Sequence, residues 1–234
     1  MNSITVTNEN LVRDDVRSAR PRRAATVSRV WAVSGIAAGV TGIASIVASG
    51  MISAIYDEKI AMDPEKIQAE LDTMTNQILA FHVVTAITAV LLVPFALGLF
   101  RRLRATLPSD SLVPGVSAAG LLILSSVLIL GSGLDTEFAM GGGQLLGENS
   151  AMYNHWVATI PWLWTTAGLA GLALFVAARQ GGVPRWIGIV GLVLGGITVA
   201  FGVSPLEYMA GMTGPLWLLV TAVGFAAGDR QHRR

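Results

Sequence analysis

Five ionisable residues in or beside the apolar part of this sequence could carry chemistry. Two are imidazoles, His82 and His155, and three are carboxylates, Asp135, Glu137 and Glu207. Ionisable residues within membrane-length segments are costly to bury, which makes them the first candidates for a functional site. Two imidazoles with a carboxylate are ligands that suit zinc or non-heme iron. His82, His155 and Asp135 are therefore a candidate divalent-metal site, although no compact HxxxH or HExxH spacing supports it.

Two kinds of catalysis would suit these groups, and the sequence does not choose between them. A metal-bound water could hydrolyse an ester or amide of a lipid at the outer leaflet. Without a metal, Asp135 or Glu137 in its protonated form could act as a general acid on a lipid substrate, as in membrane isoprenoid cyclases. The two histidines could also ligate a heme through both imidazoles. Ordinary placement at a membrane interface is the competing interpretation for each residue.

Helical periodicity places further polar side chains beside the ionisable ones. On three apolar segments a hydroxyl or an indole lies one or two helical turns from a histidine or an acid, and so on the same helix face. A bundle turns such stripes inward, because lipid solvates them poorly. The sequence therefore predicts an outward-opening polar pocket that binds a ligand through His82, Thr85, Ser132, His155, Thr159, Trp162 and Glu207.

The composition indicates the solvent in which these residues are positioned. The chain has 234 residues, of which 53% are hydrophobic and 13% are charged, and its mean hydropathy is +0.60. A soluble globular domain carries about 25% charged residues, so this chain is typical of a polytopic membrane protein. Cysteine is absent, which excludes disulfide exchange, iron–sulfur clusters and thiolate zinc sites. The net charge of +1 points to no nucleic-acid partner.

Six apolar segments supply the positioning elements. Each holds the roughly 20 residues that a helix needs to cross a hydrocarbon core, and a lipid-exposed segment of that length must satisfy its backbone internally. The sequence therefore predicts an all-α fold, a polytopic transmembrane bundle of six helices. The segments are Val30 to Ile55, Gln77 to Phe100, Leu112 to Leu134, His155 to Ala178, Val183 to Val203 and Leu206 to Ala227.

The basic residues give the predicted orientation. All 14 arginines lie in the N-terminal tail, the links at 101–111 and 179–185, or the C-terminal tail, whereas Lys59 and Lys66 lie in the opposite compartment. The positive-inside rule then predicts that both termini are cytoplasmic, in a bacterial plasma (inner) membrane. The domain prediction is a disordered basic tail at 1–29, a transmembrane domain at 30–228 and a C-terminal tail at 229–234.

The link after the first segment contains a helix start. Asp63 is a typical N-cap residue, and Pro64 suits the first helical position. Apolar residues then recur on one helical face, so we predict that the second membrane helix begins near Pro64 and projects above the bilayer. The apolar residues are Ile67, Leu71, Met74 and Ile78.

Small residues indicate where the helices approach each other closely. Gly35 and Gly39 form a GxxxG pair on the first segment, and Gly191 and Gly195 form another on the fifth. Close backbone approach drives helix association in lipid. We predict that these pairs pack within one chain, and a homo-oligomer formed through the glycine faces is the alternative.

One stretch resembles a known family. The run RQGGVPRWIG at 179–188, followed by Gly191 and Leu192, is similar to the link before the fifth helix in small bacterial six-helix membrane proteins catalogued as a domain of unknown function. The runs TGIASI at 41–46 and GPLW at 214–217 also agree with that family. The resemblance implies a six-helix architecture and brings no activity with it.

These patterns together predict an integral plasma-membrane protein whose outward-facing polar pocket binds or handles a lipid-like or small polar ligand. Membrane lipids are the expected partners, and a divalent metal is the cofactor that the ionisable residues would hold. Two alternatives stay open. One is a membrane-embedded enzyme, either a metal-dependent hydrolase or an acid-catalysed lipid or isoprenoid enzyme. The other is a structural or accessory subunit of a membrane complex.

Overall fold

Every regular element in the described part of the chain is helical. The computed structural model describes residues 29–141 and 146–228. Six of its helical spans are long and apolar enough to cross a membrane, which confirms the predicted six-helix bundle. The predicted tails, apart from Arg29, and the glycine-rich loop at 142–145 lie outside the described residues.

Ten α-helices make up these spans and their connections. They are α1 (Val30–Gly50), α2 (Pro64–Asp72), α3 (Thr75–Arg104), α4 (Val113–Ser132), α5 (Asp135–Gly141), α6 (Gly147–Thr159), α7 (Thr165–Arg179), α8 (Arg185–Val190), α9 (Gly196–Gly202) and α10 (Ala210–Ala227). Short 3-10 turns lie at Ala54–Tyr56, Ile160–Trp162 and Glu207–Met209, and one π-helical turn, Gly191–Gly195, joins α8 to α9.

Three of the six spans are interrupted along their length, and the sixth begins with the 3-10 turn Glu207–Met209 before α10. The third consists of α4 and α5, the fourth of α6, a 3-10 turn and α7, and the fifth of α8, the π-helical turn and α9. Most interruptions lie at the end of the bundle away from Arg29 and Gly228. The helical ladder is therefore broken mainly where the ionisable residues lie.

A helix does start at Pro64 as predicted, but the prediction that it is the second membrane helix is wrong, because that span is a separate helix that begins at Thr75. The Asp63 carboxylate accepts a hydrogen bond from the Lys66 N–H at 3.2 Å, and Pro64 occupies the first turn. The helix then ends at Asp72, and α3 begins at Thr75. Both the backbone N–H and the hydroxyl of Thr73 donate to the Glu70 carbonyl, which tightens the turn and ends α2.

The spans pack in the order in which they occur along the chain. α1 contacts α3, α3 contacts α4, α4 contacts α7, and α7 contacts the fifth span. The ring closes because α10 packs against both the fifth span and α1. Short connections favour this antiparallel arrangement of neighbours. Large buried side chains fill the centre, among them Phe95, Leu99, Leu124, Trp164 and Trp217.

Both predicted glycine pairs pack within the chain, as expected. A Cβ on Gly35 would lie 2.3 Å from the Phe95 ring, and one on Gly39 would lie 2.8 Å from Leu219. A Cβ on Gly191 would meet the Gly171 carbonyl at 2.3 Å, so α7 and the fifth span are in backbone contact there. A homo-oligomer through glycine faces stays a prediction.

The bundle has two chemically different ends. At one, an Arg29 guanidinium nitrogen donates to the Ala226 carbonyl at 3.2 Å, and one of Arg102 donates to the Gly182 carbonyl at 3.3 Å. We call this the arginine end, since it holds every arginine among the described residues. The opposite end carries Lys59, Lys66 and most described acids, and we call it the acidic end. Which end faces the cytoplasm stays a prediction.

Candidate functional site

Four residues from four helices, α3 to α6, form a polar cluster near the acidic end. His82 Nδ1 lies 2.9 Å from the Ser132 carbonyl oxygen and 3.6 Å from Asp135 Oδ2. The Tyr153 hydroxyl donates to Asp135 Oδ1 at 3.2 Å. Asp135 is fully buried, whereas the His82 side chain is 27% exposed. We call His82, Ser132, Asp135 and Tyr153 the His82–Asp135 cluster.

The hydrogen bonds fix the protonation of the imidazole on one side. A carbonyl oxygen can only accept, so His82 Nδ1 carries a proton. In the neutral ring the other nitrogen, Nε2, is then the acceptor. Asp135 Oδ2 is buried without a hydrogen-bond partner, although the imidazole proton lies nearby. The cluster therefore contains one buried acceptor atom that has no hydrogen-bond partner.

Two side-chain ring nitrogens donate hydrogen bonds to the carbonyls at the end of α4. His82 Nδ1 donates to Ser132, and Trp156 Nε1 donates to the Gly131 carbonyl at 3.1 Å. The last carbonyls of a helix lack intrahelical partners, and lipid supplies none. Neighbouring helices α3 and α6 supply these donors instead. This capping is sufficient to explain why polar rings lie here.

The cluster lies close to the predicted edge of the hydrocarbon core. His82 precedes Phe100 by 18 positions on α3, which corresponds to about 27 Å along a helix. A hydrocarbon core is about 30 Å thick. With Phe100 at one boundary, His82 falls just inside the other. The cluster therefore occupies the depth at which groups can exchange with water.

Asn154 joins α6 to the segment that follows α1. Its carbonyl oxygen accepts from the Ile55 N–H at 3.0 Å, and its amide donates to the Ile52 carbonyl at 2.8 Å. The side chain is fully buried. It replaces the water that would otherwise satisfy two backbone groups of a non-helical segment. Asn154 therefore links the fourth span to the segment that follows the first.

The predicted site residues do not all come together. Thr85 is buried between helices, where its hydroxyl lies 2.6 Å from the Ser45 hydroxyl, and Thr159 donates to the Trp156 carbonyl on its own helix. Glu137 and Glu207 are exposed. Asp135 is thus separated from Glu137, its predicted catalytic partner, because residues two positions apart on helix α5 point to roughly opposite sides.

The predicted metal ligands are only partly assembled. His82 contacts Asp135, but His155 is exposed on α6. Within residues 29–141 and 146–228, no three His, Asp or Glu side chains are grouped so that they could hold a metal ion. A shared site for both imidazoles, and the heme alternative that depends on it, have no contact among the described residues to support them and stay predictions. His155 falls one position away from the buried face of its helix.

Tyr153 and Asn154 are the residues that the sequence-based site missed. The buried face of α6 runs through Ser150, Tyr153, Asn154 and Val157, at i, i+3, i+4 and i+7. That spacing is the ordinary pattern of an inward helix face. Had the pattern been applied to this segment before its ionisable residue was chosen, it would have favoured Tyr153 and Asn154 over His155.

A cavity of about 280 Å3 lies at the acidic end, and none of the four cluster residues lines it. We call it the Trp162 cavity, because that indole forms one wall and donates to the Ser49 hydroxyl at 3.3 Å. Its walls come from the end of α1, the segment after it, the fourth span and the turn before α10. They consist of Ser49, Gly50, Ile52, Ser53, Tyr56, Trp162, Tyr208 and Met209.

The comparisons with known proteins give no relative for this arrangement. No family model, no curated protein and no solved structure matches the chain. The segment at 179–192 therefore keeps only the architectural resemblance noted above.

Proposed function

We propose that this protein is a multi-pass membrane protein that binds part of an amphiphilic ligand in the Trp162 cavity. The six membrane-length helices support the membrane location. The cavity is the single observation on which the binding proposal rests. Of the predicted ligand-binding residues, Trp162 lines this cavity, and Glu207 precedes Tyr208 in its wall.

The wall chemistry favours an amphiphile over a purely polar ligand. Ile52, Met209 and the indole face of Trp162 supply apolar surface. The hydroxyls of Ser53 and the phenols of Tyr56 and Tyr208 supply polar groups at the same opening. Aromatic residues with a polar tip are typical of the membrane–water boundary. A molecule with an apolar chain and a polar end would match both parts.

The cavity volume limits how much of a ligand can enter. Pockets that enclose a drug-sized molecule measure about 300–1,000 Å3, and this cavity lies just below that range. It would hold one chain segment or a ring, with the rest of the ligand in the lipid. A whole two-chain phospholipid is too large for it.

The cavity and the His82–Asp135 cluster are joined through one residue. Ile52 lines the cavity, and its carbonyl accepts from Asn154. Asn154 is the neighbour of Tyr153, whose hydroxyl donates to Asp135. A ligand that displaces the segment at 51–56 would therefore act on α6 and, through it, on the buried carboxylate.

Filling the cavity tests the proposal. Gly50 lines it, and a Cβ there would meet no heavy atom within 4 Å, so Gly50→Leu adds volume without a clash at Cβ. The probe is a diazirine-bearing fatty acid, photoactivated on the purified protein in detergent. We expect labelling of peptides that contain Tyr56, Trp162 or Tyr208, and at least an approximately fivefold loss in Gly50→Leu.

Gly115→Leu is the matched control. Gly115 is another exposed helical glycine with open space around its Cβ, but it lies on α4 near the arginine end. Its labelling should equal that of the wild type. Equal labelling of Gly50→Leu and Gly115→Leu, or labels spread evenly over all lipid-facing helices, would refute binding in the Trp162 cavity.

We also propose that the arginine end is cytoplasmic, in the plasma membrane. The proposal rests on the separation of arginines from lysines and acids. The chain has no cysteine, so single cysteines can be introduced without a background. In intact cells, an impermeant maleimide should label Glu58→Cys at the acidic end and leave Ser109→Cys at the arginine end unlabelled. The reverse pattern would invert the topology.

A further inference from the structure

A second cavity lies at the arginine end, between α7 and α8. It measures about 640 Å3 and is distinct from the acidic-end residues considered so far. Its walls come from the last turns of α7, the link at 180–184 and the first turns of α8. They consist of Phe175, Ala178, Arg179, Gly181, Val183, Pro184, Arg185 and Ile189. We call it the Arg179 cavity.

Two guanidinium groups supply the charge of this cavity. Arg179 and Arg185 are both exposed and both belong to its wall. Within the described residues, neither forms an ion pair, although exposed Asp110 is an acid at the same end. A guanidinium is permanently charged and presents a planar fork of donors that matches phosphate. The cavity therefore has positive charge that no described carboxylate neutralises.

The link holds the two arginines in place across the opening. Gly181 has a φ of +76°, a conformation that glycine adopts without strain, and the Gly182 N–H donates to the Ala177 carbonyl at 2.8 Å. The Gly182 carbonyl in turn accepts from Arg102 on α3. Pro184 then fixes the backbone before α8. The backbone positions of the two arginines are thus set by a hydrogen-bonded turn and not by a free loop.

The apolar part of the wall continues into the lipid-facing surface. Phe175 and Ile189 belong to the cavity, and Ile189 is more than half exposed. Exposed Val176 and Trp186 lie next to them on α7 and α8. Exposed tryptophans near the ends of membrane helices sit at headgroup level. The cavity therefore combines positive charge at its opening with apolar surface below it. This combination matches a ligand that has both an anionic group and an apolar chain.

We propose that the Arg179 cavity binds the phosphate of an anionic phospholipid, with an acyl chain along Phe175 and Ile189. The phosphate contacts Arg179 and Arg185, and the chain lies in the groove between α7 and α8. The recognised chemistry, a phosphate-bearing anion, is shared by free phosphate esters. The apolar wall favours the lipid over the soluble ester, because a soluble ester would leave that wall exposed. Basic pockets between membrane helices bind anionic headgroups in this way.

Native mass spectrometry of the delipidated full-length protein tests this site. The probes are phosphatidylglycerol and phosphatidylcholine with identical acyl chains, and the readout is the dissociation constant of the first bound lipid. Each basic residue near an anionic lipid contributes about fivefold in affinity. We expect Arg179→Gln and Arg185→Gln each to weaken phosphatidylglycerol binding by about fivefold, and the double variant by about 25-fold.

Arg101→Gln is the matched control, since Arg101 is exposed at the same end but lies outside the cavity wall. It should bind phosphatidylglycerol as the wild type does. An equal loss in Arg101→Gln would show general surface attraction and overturn the site. Equal affinity for phosphatidylcholine would overturn the recognition of an anion.

Glycerol 1-phosphate separates the two sources of phosphate. It should fail to displace phosphatidylglycerol at millimolar concentration, because it lacks the chain that covers the apolar wall. Displacement at the same concentration as the lipid would overturn the lipid proposal in favour of a soluble ester. Both arginines are exposed, so unchanged thermal unfolding of the variants is expected and excludes misfolding as the cause.

Discussion

The acidic end and the arginine end treat polar groups in opposite ways. At the acidic end, Asn154 and Asp135 are fully buried, and their partners come from other helices. At the arginine end, charged side chains stay at the surface and donate to carbonyls, as Arg29 does to Ala226. The acidic end therefore buries some polar side chains inside the bundle beside its exposed charged residues, and the arginine end keeps its charged side chains at the surface.

The difference follows from where the helices are interrupted. A broken helix frees carbonyl and N–H groups, which need partners when lipid surrounds them. The acidic end contains most of the breaks and supplies neutral polar side chains as partners. At the arginine end the helices simply end, and long cationic side chains reach the last carbonyls. The free energy of unfolding should therefore depend on individual buried contacts at the acidic end. It should depend on no single buried contact at the arginine end.

The largest expected effect is at Asn154. Asn154→Leu keeps a similar volume but leaves the Ile55 N–H and the Ile52 carbonyl without partners. An unsatisfied buried group costs about 1–3 kcal/mol, so we expect a loss of about 2–4 kcal/mol in the free energy of unfolding. Unfolding in mixed detergent measures it. Asn149→Leu, an exposed position on the same helix, should change it by less than about 0.5 kcal/mol.

The next effect is at Asp135. Asp135→Ala removes the acceptor of the Tyr153 hydroxyl, and we expect a loss of about 1–3 kcal/mol in the same assay. Asp135→Asn keeps an acceptor for Tyr153 and should lose less. Glu137→Ala, two positions away and exposed, should be nearly neutral. Equal losses for Asp135→Ala and Glu137→Ala would show that burial does not set the energetics of this end.

A smaller effect is expected at the arginine end. Arg102→Gln removes the donor to the Gly182 carbonyl, but water can replace it at this boundary. We expect a loss below about 1 kcal/mol, because such an exchange of partners is the ordinary case. Thermal unfolding of Arg102→Gln measures this loss, with Arg101→Gln as the control. A loss as large as that of Asn154→Leu would remove the contrast between the two ends.

The smallest effect concerns the exposed ion pair of the acidic end. Asp63 lies 2.8 Å from the Lys66 ammonium, and the hydrogen bonds from Lys66 lower the pKa of the Asp63 carboxyl. A lowered pKa in the folded state means that the contribution is present above the ordinary carboxyl pKa and lost as the pH falls through the lowered one. We expect slightly weaker amide protection of α2 at acidic pH, and no such change in Asp63→Asn.

The sequence was sufficient for the membrane helices and for the helix start at Asp63, because both depend on local chemistry. Length and apolarity require helices, and a carboxylate before a proline marks an N-terminus. The glycine pairs were also predictable, since lipid leaves close backbone approach as the main packing device. The break at Thr73 was harder, because it depends on a side-chain hydrogen bond to Glu70 that competes with an otherwise favourable helix.

The candidate site was only partly predictable, because it depends on which helix faces meet. His82 and Asp135 do meet, but they were chosen for being ionisable and not for their position on a face. His155 was chosen for the same reason and is exposed. The neutral residues beside it, Tyr153 and Asn154, make the buried contacts. A cavity such as the Trp162 cavity cannot be predicted from the pattern of residues along the sequence.

The interruption at Ile160–Trp162 has a consequence for how this chain can change over evolution. In an unbroken helix, each inserted residue rotates everything beyond it by about 100°. The 3-10 turn uncouples the two halves of the fourth span, so α6 can shift its register while the glycine seam of α7 stays fixed. The half of the fourth span at the acidic end can therefore change in sequence without any redesign of the half that packs against the fifth span.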